Sequence, residues 1–372
     1  MRDAFALGSE DFIAHPRRSG AGLIPMEPGE LRRIARAISA VENQAAGYED
    51  ILAEAYRLQH WPDIIGITGP PGAGKSTLVD SLTAHWAVTG ERVAVLAIDP
   101  SSPYSGGAVL GDRIRRNRSA GLANTYFRSL SSRGHVGGLT ETATDLVAVL
   151  NLFQFRRVLI ETVGAGQSDI EIHETADCTL VVTVPGLGDG VQASKAGLME
   201  IGDVFAVNKA DLPGADDAAR TIERALAAAY IGEPGINVRN TAVVAASTRH
   251  ADTPGVAALR RRHGDVTTDS STWVPPVRCI VATENTGVTE LGAAIDAFIA
   301  WSGETGRREQ RVRERAYAQV MRALAALLLT PFARASGTDR FPALVEPWVR
   351  RIAEGTASPR EAARFLASKI NR

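Results

Sequence analysis

Glycines, a lysine and a hydroxyl stand at fixed spacing in Gly69-Pro70-Pro71-Gly72-Ala73-Gly74-Lys75-Ser76, the pattern G-x-x-x-x-G-K-[ST]. Glycines let backbone N–H groups close around phosphate oxygens, and a helix N-terminus behind them adds positive potential. A lysine at this place reaches the terminal phosphates of a nucleoside triphosphate, and the hydroxyl after it can ligate Mg²⁺. Gly69, Gly72, Ala73, Gly74, Lys75, Ser76 and Thr77 are therefore the candidate phosphate-binding residues. Such a loop works only between a strand and a helix. Ile64-Ile65-Gly66-Ile67 supplies the first, and Leu78 to Val88 the second.

Asn208-Lys209-Ala210-Asp211 follows the apolar run Val204–Val207. A carboxylate at Asp211 can accept from both the ring N–H and the exocyclic amino group of guanine, where adenine presents a lone pair and no amino group. Asn208 and Lys209 would brace the base and the phosphate loop. The wrong base would leave a carboxylate unpaired, which makes the discrimination large. GTP, with GDP as product, is the expected nucleotide.

Asp99 ends the run Arg92–Asp99, and ligands of open parallel sheets gather at the carboxyl ends of strands. It would hold Mg²⁺ or a metal-bound water, the alternative being a turn or capping aspartate. Glu161-Thr162-Val163-Gly164 ends another strand, where many GTPases place Asp-x-x-Gly. Glu161 would join the metal shell, and the Gly164 N–H would contact the γ-phosphate. Gln167 could orient the attacking water, and Asp112, in a glycine-rich loop, is a second candidate near the metal. The expected catalytic residues are Lys75, Asp112 and Gln167, and the expected metal ligands Ser76, Asp99, Asp112 and Glu161.

These residues need a scaffold. Helical spacing at Glu30 to Ala45 and Tyr48 to Gln59 precedes alternating strands and helices: Ile64–Thr68, the helix after the phosphate loop, Arg92–Asp99, Thr140–Leu152, Val158–Glu161, Thr179–Val184, Ala193–Gly202 and Val204–Val207. Ala242–Ala246 could add a strand inside 241–272, which reads as an inserted loop. Val277–Ala282 resumes strand character and Leu291–Trp301 a helix. Helix follows from Arg307 to Pro331, and a last helix starts at Ser358-Pro359-Arg360-Glu361 with a capping box. The expected fold is α/β: a P-loop NTPase with a mostly parallel sheet, helices on both faces, and helical N- and C-terminal extensions. The division is 1–60 as leader and helical extension, 61–302 as nucleotide domain, and 303–372 as C-terminal helical region.

Composition narrows the partners. The 372 residues carry 41 Lys+Arg against 42 Asp+Glu, a formal net charge of −1, so no global field points to nucleic acid. No run approaches the roughly 18 apolar residues of a membrane span. The two cysteines, Cys178 and Cys279, sit in apolar runs and are expected to be reduced core residues, as in a cytoplasmic protein.

The motifs in this order resemble the methylmalonyl-CoA mutase-associated GTPases, the MeaB/ArgK family. The resemblance runs from Ala35-Arg36-Ala37-Ile38-Ser39-Ala40-Val41-Glu42 to the Ser358-Pro359 helix. It is most specific at Asp99-Pro100-Ser101-Ser102, Ser132-Arg133-Gly134-His135-Val136-Gly137-Gly138, Glu161 through Ser168, and Asn208 through Asp211. It implies a GTP-hydrolysing chaperone, slow alone and stimulated by its partner. Such a chaperone gates adenosylcobalamin loading into a cobalamin-dependent acyl-CoA mutase and protects that enzyme. It further implies a homodimer built through the C-terminal region and a link to cobalamin adenosyltransferase. The base-supporting Ser-Ala of the family falls on Val281-Ala282, which makes Ala282 and Thr283 nucleotide contacts, with Ala246-Ser247 as a rival. Departures occur at Ile114 in the first switch and at Gly190, Val191 and Ala193 in the third. A nickel-delivery GTPase of the hydrogenase or urease maturation type is the alternative; it needs clustered Cys and His ligands, whereas here the histidines are scattered. An ATP-driven kinase of an amino-acid transport system is a third reading, opposed by the guanine-selecting motif.

Overall fold

The computed structural model describes residues 26–58, 61–99, 122–131, 138–162, 172–186, 198–232, 273–320, 346–348 and 350–351. Its centre is a seven-stranded sheet in the order β3-β2-β4-β1-β5-β6-β7. The strands are β1 Asp63–Thr68, β2 Val93–Asp99, β3 Thr125–Ser131, β4 Arg157–Thr162, β5 Cys178–Thr183, β6 Val204–Val207 and β7 Val277–Cys279. Every pairing is parallel. All carboxyl ends therefore lie on one edge, which carries the phosphate loop, Asp99, Glu161 and Asn208.

A sheet covered on both faces needs apolar side chains at consecutive positions, one to each side. β1 shows this directly. Ile64 packs with one cluster, and its neighbours Ile65 and Ile67 with another. Helices α1 (Pro28–Glu42), α2 (Tyr48–Arg57) and α4 (Gly138–Leu152) cover the first face, with Ile34, Ala37, Ile38 and Val41 of α1 buried there. Helices α3 (Lys75–Ala87) and α6 (Val288–Glu304) cover the second. Helix α5 (Ala215–Gly232) closes the β6–β7 end of the first face against Val181, Phe205, Val207 and Val277. The expected two-sided α/β architecture is what forms, and the sheet is parallel throughout.

Among the described elements, β3 and α5 escaped the sequence reading. β3 is the outer strand beside β2 and mixes Arg128, Ser129 and Ser131 with Tyr126 and Leu130, so it lacks a continuous apolar run. β7 is shorter than the expected Val277–Ala282, because the chain turns through a 3₁₀ segment at Ala282–Glu284 after Ile280 has bonded Val207. One cysteine expectation fails. Cys178 is buried in β5, but Cys279 is exposed at the end of the outermost strand. The Ala242–Ala246 strand, the 241–272 insertion and the Ser358–Glu361 helix start lie outside the described residues.

The opposite edge of the sheet carries an unexpected ion-pair ladder. Asp63 opens β1, Asp177 precedes β5 and Asp203 precedes β6. A helix at residues 307–320 brings Arg308, Arg311 and Arg315 to them. Arg308 lies 2.9 Å from Asp63, Arg311 2.9 Å from Asp203, and Arg315 2.6 Å from Asp177. The carboxylates also accept from the neighbouring strand, Asp177 from the Ile64 N–H at 3.1 Å and Asp203 from the Thr179 N–H at 2.9 Å. Asp177 and Asp203 are thus both paired and hydrogen-bonded, as burial demands, while Asp63 is held by ion pairs to Arg308 and Arg156.

Candidate functional site

The phosphate loop leaves β1 at Thr68 and enters α3 at Lys75, as the strand–loop–helix requirement predicts. Two of its glycines are dictated by close approach. Gly69 lies at φ +141° with Val182 O only 2.0 Å from where a Cβ would be, and Gly74 lies at φ +84° with Asn208 Nδ2 2.4 Å away. No other residue fits either place. Gly72 and Ala73 complete the loop, and Thr77 follows Ser76 in the first turn of α3. Lys75 is buried, and its ammonium donates to the carbonyls of Gly69 at 2.6 Å and Pro70 at 3.2 Å. The loop thus holds its own cation across the place where the motif puts the terminal phosphates.

Strand register places the candidate metal-ligating residues. Glu161 of β4 lies opposite Ile67 of β1 and Ala97 of β2. The Ser76 hydroxyl donates to Glu161 Oε1. A hydroxyl and a carboxylate brought together from separate elements are the hard oxygen donors that Mg²⁺ takes, so these residues fit the ion. Asp99 is the last residue of β2, two positions beyond the partner of Glu161. Asp112, Gly164 and Gln167 lie outside the described residues, as does most of the third switch.

The Asn208–Asp211 turn is braced by one buried amide. Asn208 Nδ2 donates to Ala73 O at 2.8 Å, and Asn208 Oδ1 accepts from the Ala282 N–H at 3.1 Å. The side chain therefore spans the phosphate loop and the loop after β7. Lys209 sits at φ +56°, a conformation that costs a side-chain-bearing residue about 1–2 kcal/mol. Bonds on either side hold it there: Ala210 N–H to Ile280 O and Leu212 N–H to Lys209 O, both at 3.0 Å. The turn leaves Asp211 exposed at the same edge. Ala282 is buried, with Thr283 next to it in the 3₁₀ segment.

A family profile described as Methylmalonyl Co-A mutase-associated GTPase MeaB matches residues 34–336. The chain belongs to the MeaB family. Among its relatives, a protein of Pyrococcus abyssi named as a GTPase is 36% identical over 345 residues, 93% of this chain and 94% of its own length. A fused isobutyryl-CoA mutase of Cupriavidus metallidurans is 36% identical over 200 residues, 53% of this chain and 18% of the fused protein. A crystal structure of an LAO/AO transport system kinase shares the fold, with a TM-score of 0.61, 22% identity and coverage of 92% and 94%. As a MeaB-family member with an intact phosphate loop, the protein is a nucleotide-binding P-loop GTPase. Among its described residues no helix is long and apolar enough to cross a membrane. No group of three or more His, Cys, Asp and Glu among them is placed to hold a metal ion.

Sequence reasoning overlooked Ser81, whose buried hydroxyl donates from α3 to Ala282 O at 2.9 Å. It also overlooked the aspartate–arginine ladder. A signal for the latter was present in an acidic residue at the head of each of β1, β5 and β6, with arginines at helical spacing in 307–320.

Proposed function

We propose that this MeaB-family GTPase is a chaperone for a cobalamin-dependent acyl-CoA mutase, methylmalonyl-CoA mutase or a related enzyme. It gates adenosylcobalamin loading and protects the mutase from inactivation. The observation that carries this reading is the relative whose polypeptide joins a homologous stretch to an isobutyryl-CoA mutase. Fusion raises the effective concentration of one part at the other, which serves parts that act together. The family description, which names a mutase as the associate, supports the same reading.

In hydrolysis, the Lys75 ammonium stabilises charge on the phosphoryl group being transferred, and loop N–H groups fix the phosphates in line. Asp211 reads guanine, while Asn208 holds its loop against Ala73 and Ala282. Ser76, Glu161, Asp99 and Asp112 are the residues that would hold Mg²⁺, which when bound supplies neutralising charge at the phosphate oxygens. Gln167, with Asp112, orients the attacking water, and Gly164 senses the γ-phosphate. Positioning dominates such chemistry, so a partner that orders these loops accelerates a slow intrinsic reaction. The protein acts as a cytoplasmic homodimer through 303–372, with 61–302 as the GTPase unit and 1–60 as the helical extension. The same reading carries a link to a cobalamin adenosyltransferase. The test is binding of the purified protein to a panel of adenosylcobalamin-dependent acyl-CoA mutases with GTP or GDP present. One mutase should bind in a nucleotide-dependent way; failure to bind any of them overturns the chaperone reading.

A further inference from the structure

We propose that Ser81 is a positioning residue for guanine recognition, acting through the Ala282 peptide. This rests on the reading that Asn208–Asp211 and the Ala282–Thr283 loop surround the base. Two groups from different elements fix Ala282. Its N–H donates to Asn208 Oδ1 at 3.1 Å, and its carbonyl accepts from the Ser81 hydroxyl at 2.9 Å. Ser81 and Ala282 are each 2% exposed. The contact spans 201 positions of sequence, so it is not the local bond to the preceding turn that Thr83 makes with Val79 O.

The geometry gives this contact a direction. A trans peptide points its C=O and N–H to opposite sides. With the Ala282 carbonyl held toward α3, the Thr283 N–H faces away from α3. Ser81 lies on the helix that opens with Lys75 and Ser76. One rigid helix thereby carries the phosphate contacts at its start and, nearly two turns later, the anchor of the loop after β7. Asn208 closes the circuit from that loop back to Ala73. Base and phosphate subsites are therefore held at fixed separation by the side chains of Asn208 and Ser81. A buried hydroxyl in this place aligns the nucleotide and takes no part in phosphoryl transfer.

The experiment compares wild type, Ser81→Ala, Ser81→Thr and Asp211→Asn. It measures KM and kcat for GTP and XTP, the affinity for a fluorescent GDP analogue, and the melting temperature without nucleotide. Ser81→Ala should raise the GTP KM and weaken GDP binding about three- to tenfold, the worth of one net hydrogen bond. Its kcat should stay within about twofold, and its GTP/XTP preference should narrow. Ser81→Thr, which keeps the hydroxyl, should restore the affinity. Equal losses in kcat and affinity, or loss in both Ser81 variants alongside a lowered melting temperature, would show a purely structural role and overturn the proposal. Asp211→Asn separates the two levels. If it shifts preference toward XTP while Ser81→Ala changes nothing, only the Ser81 proposal fails; if Asp211→Asn leaves the preference unchanged, the base-reading assignment itself fails.

Discussion

Single residues at the nucleotide edge have roles fixed by what surrounds them. Lys75 is buried with its ammonium on two loop carbonyls, so its charge is delivered to one place. Lys75→Ala removes it, and GTP turnover should fall by at least about a hundredfold, the order of loss when an electrostatic group of the transition state is deleted. Near-normal turnover in a single-turnover assay would refute the site. Gly69 makes a steric prediction. A methyl there would meet the Val182 carbonyl at 2.0 Å while the backbone holds φ +141°. Gly69→Ala should cost about 2 kcal/mol or more in denaturant unfolding and weaken GDP binding. A variant as stable as wild type would show that the loop relaxes freely.

Elements explain which features the sequence displayed and which it hid. The strands β1, β2, β4, β5 and β6 announce themselves as continuous apolar runs because both their faces are buried. The phosphate loop is legible for a different reason: its chemistry tolerates few residue types at Gly69, Gly74 and Lys75. β3 hides because an outer strand needs only half the apolar pattern. The Arg308, Arg311 and Arg315 face hides because charged residues in a helix usually mean a solvated surface, and only tertiary structure brings Asp63, Asp177 and Asp203 beneath it. Arg311→Met should destabilise the protein by about 3 kcal/mol, since it leaves Asp203 buried without its cation. The double variant Asp203→Asn/Arg311→Met should lose less than the sum of the two single losses, and strict additivity in denaturant unfolding would contradict the pairing.

His173, beside this ladder, sets a pH limb. Burial, and next the Arg311 guanidinium, push its imidazole below the usual 6.5. The unfolded chain then takes up the proton first as pH falls. Stability from the neutral imidazole is complete above pH 6.5 and is lost as pH drops from there through the lowered folded value. His173→Gln should flatten the melting temperature across that window. An unchanged slope would exclude His173 as its source.

At the scale of the whole molecule, the parallel sheet separates two tasks onto two edges. Carboxyl ends carry the phosphate loop, Glu161 and the Asn208 turn, while the opposite ends of β1, β5 and β6 are gripped by the helix at 307–320. The GTPase function follows from the first edge and from membership of the MeaB family. The proposed partner rests instead on kinship with a fused mutase and on the mutase that the family's description names. The most direct measurement is the GTP turnover of the purified protein, alone and with an adenosylcobalamin-dependent acyl-CoA mutase added in excess. Turnover should rise severalfold with the client mutase and vanish in Lys75→Ala whether or not the mutase is present. Turnover that no acyl-CoA mutase changes would contradict a GTPase that serves one.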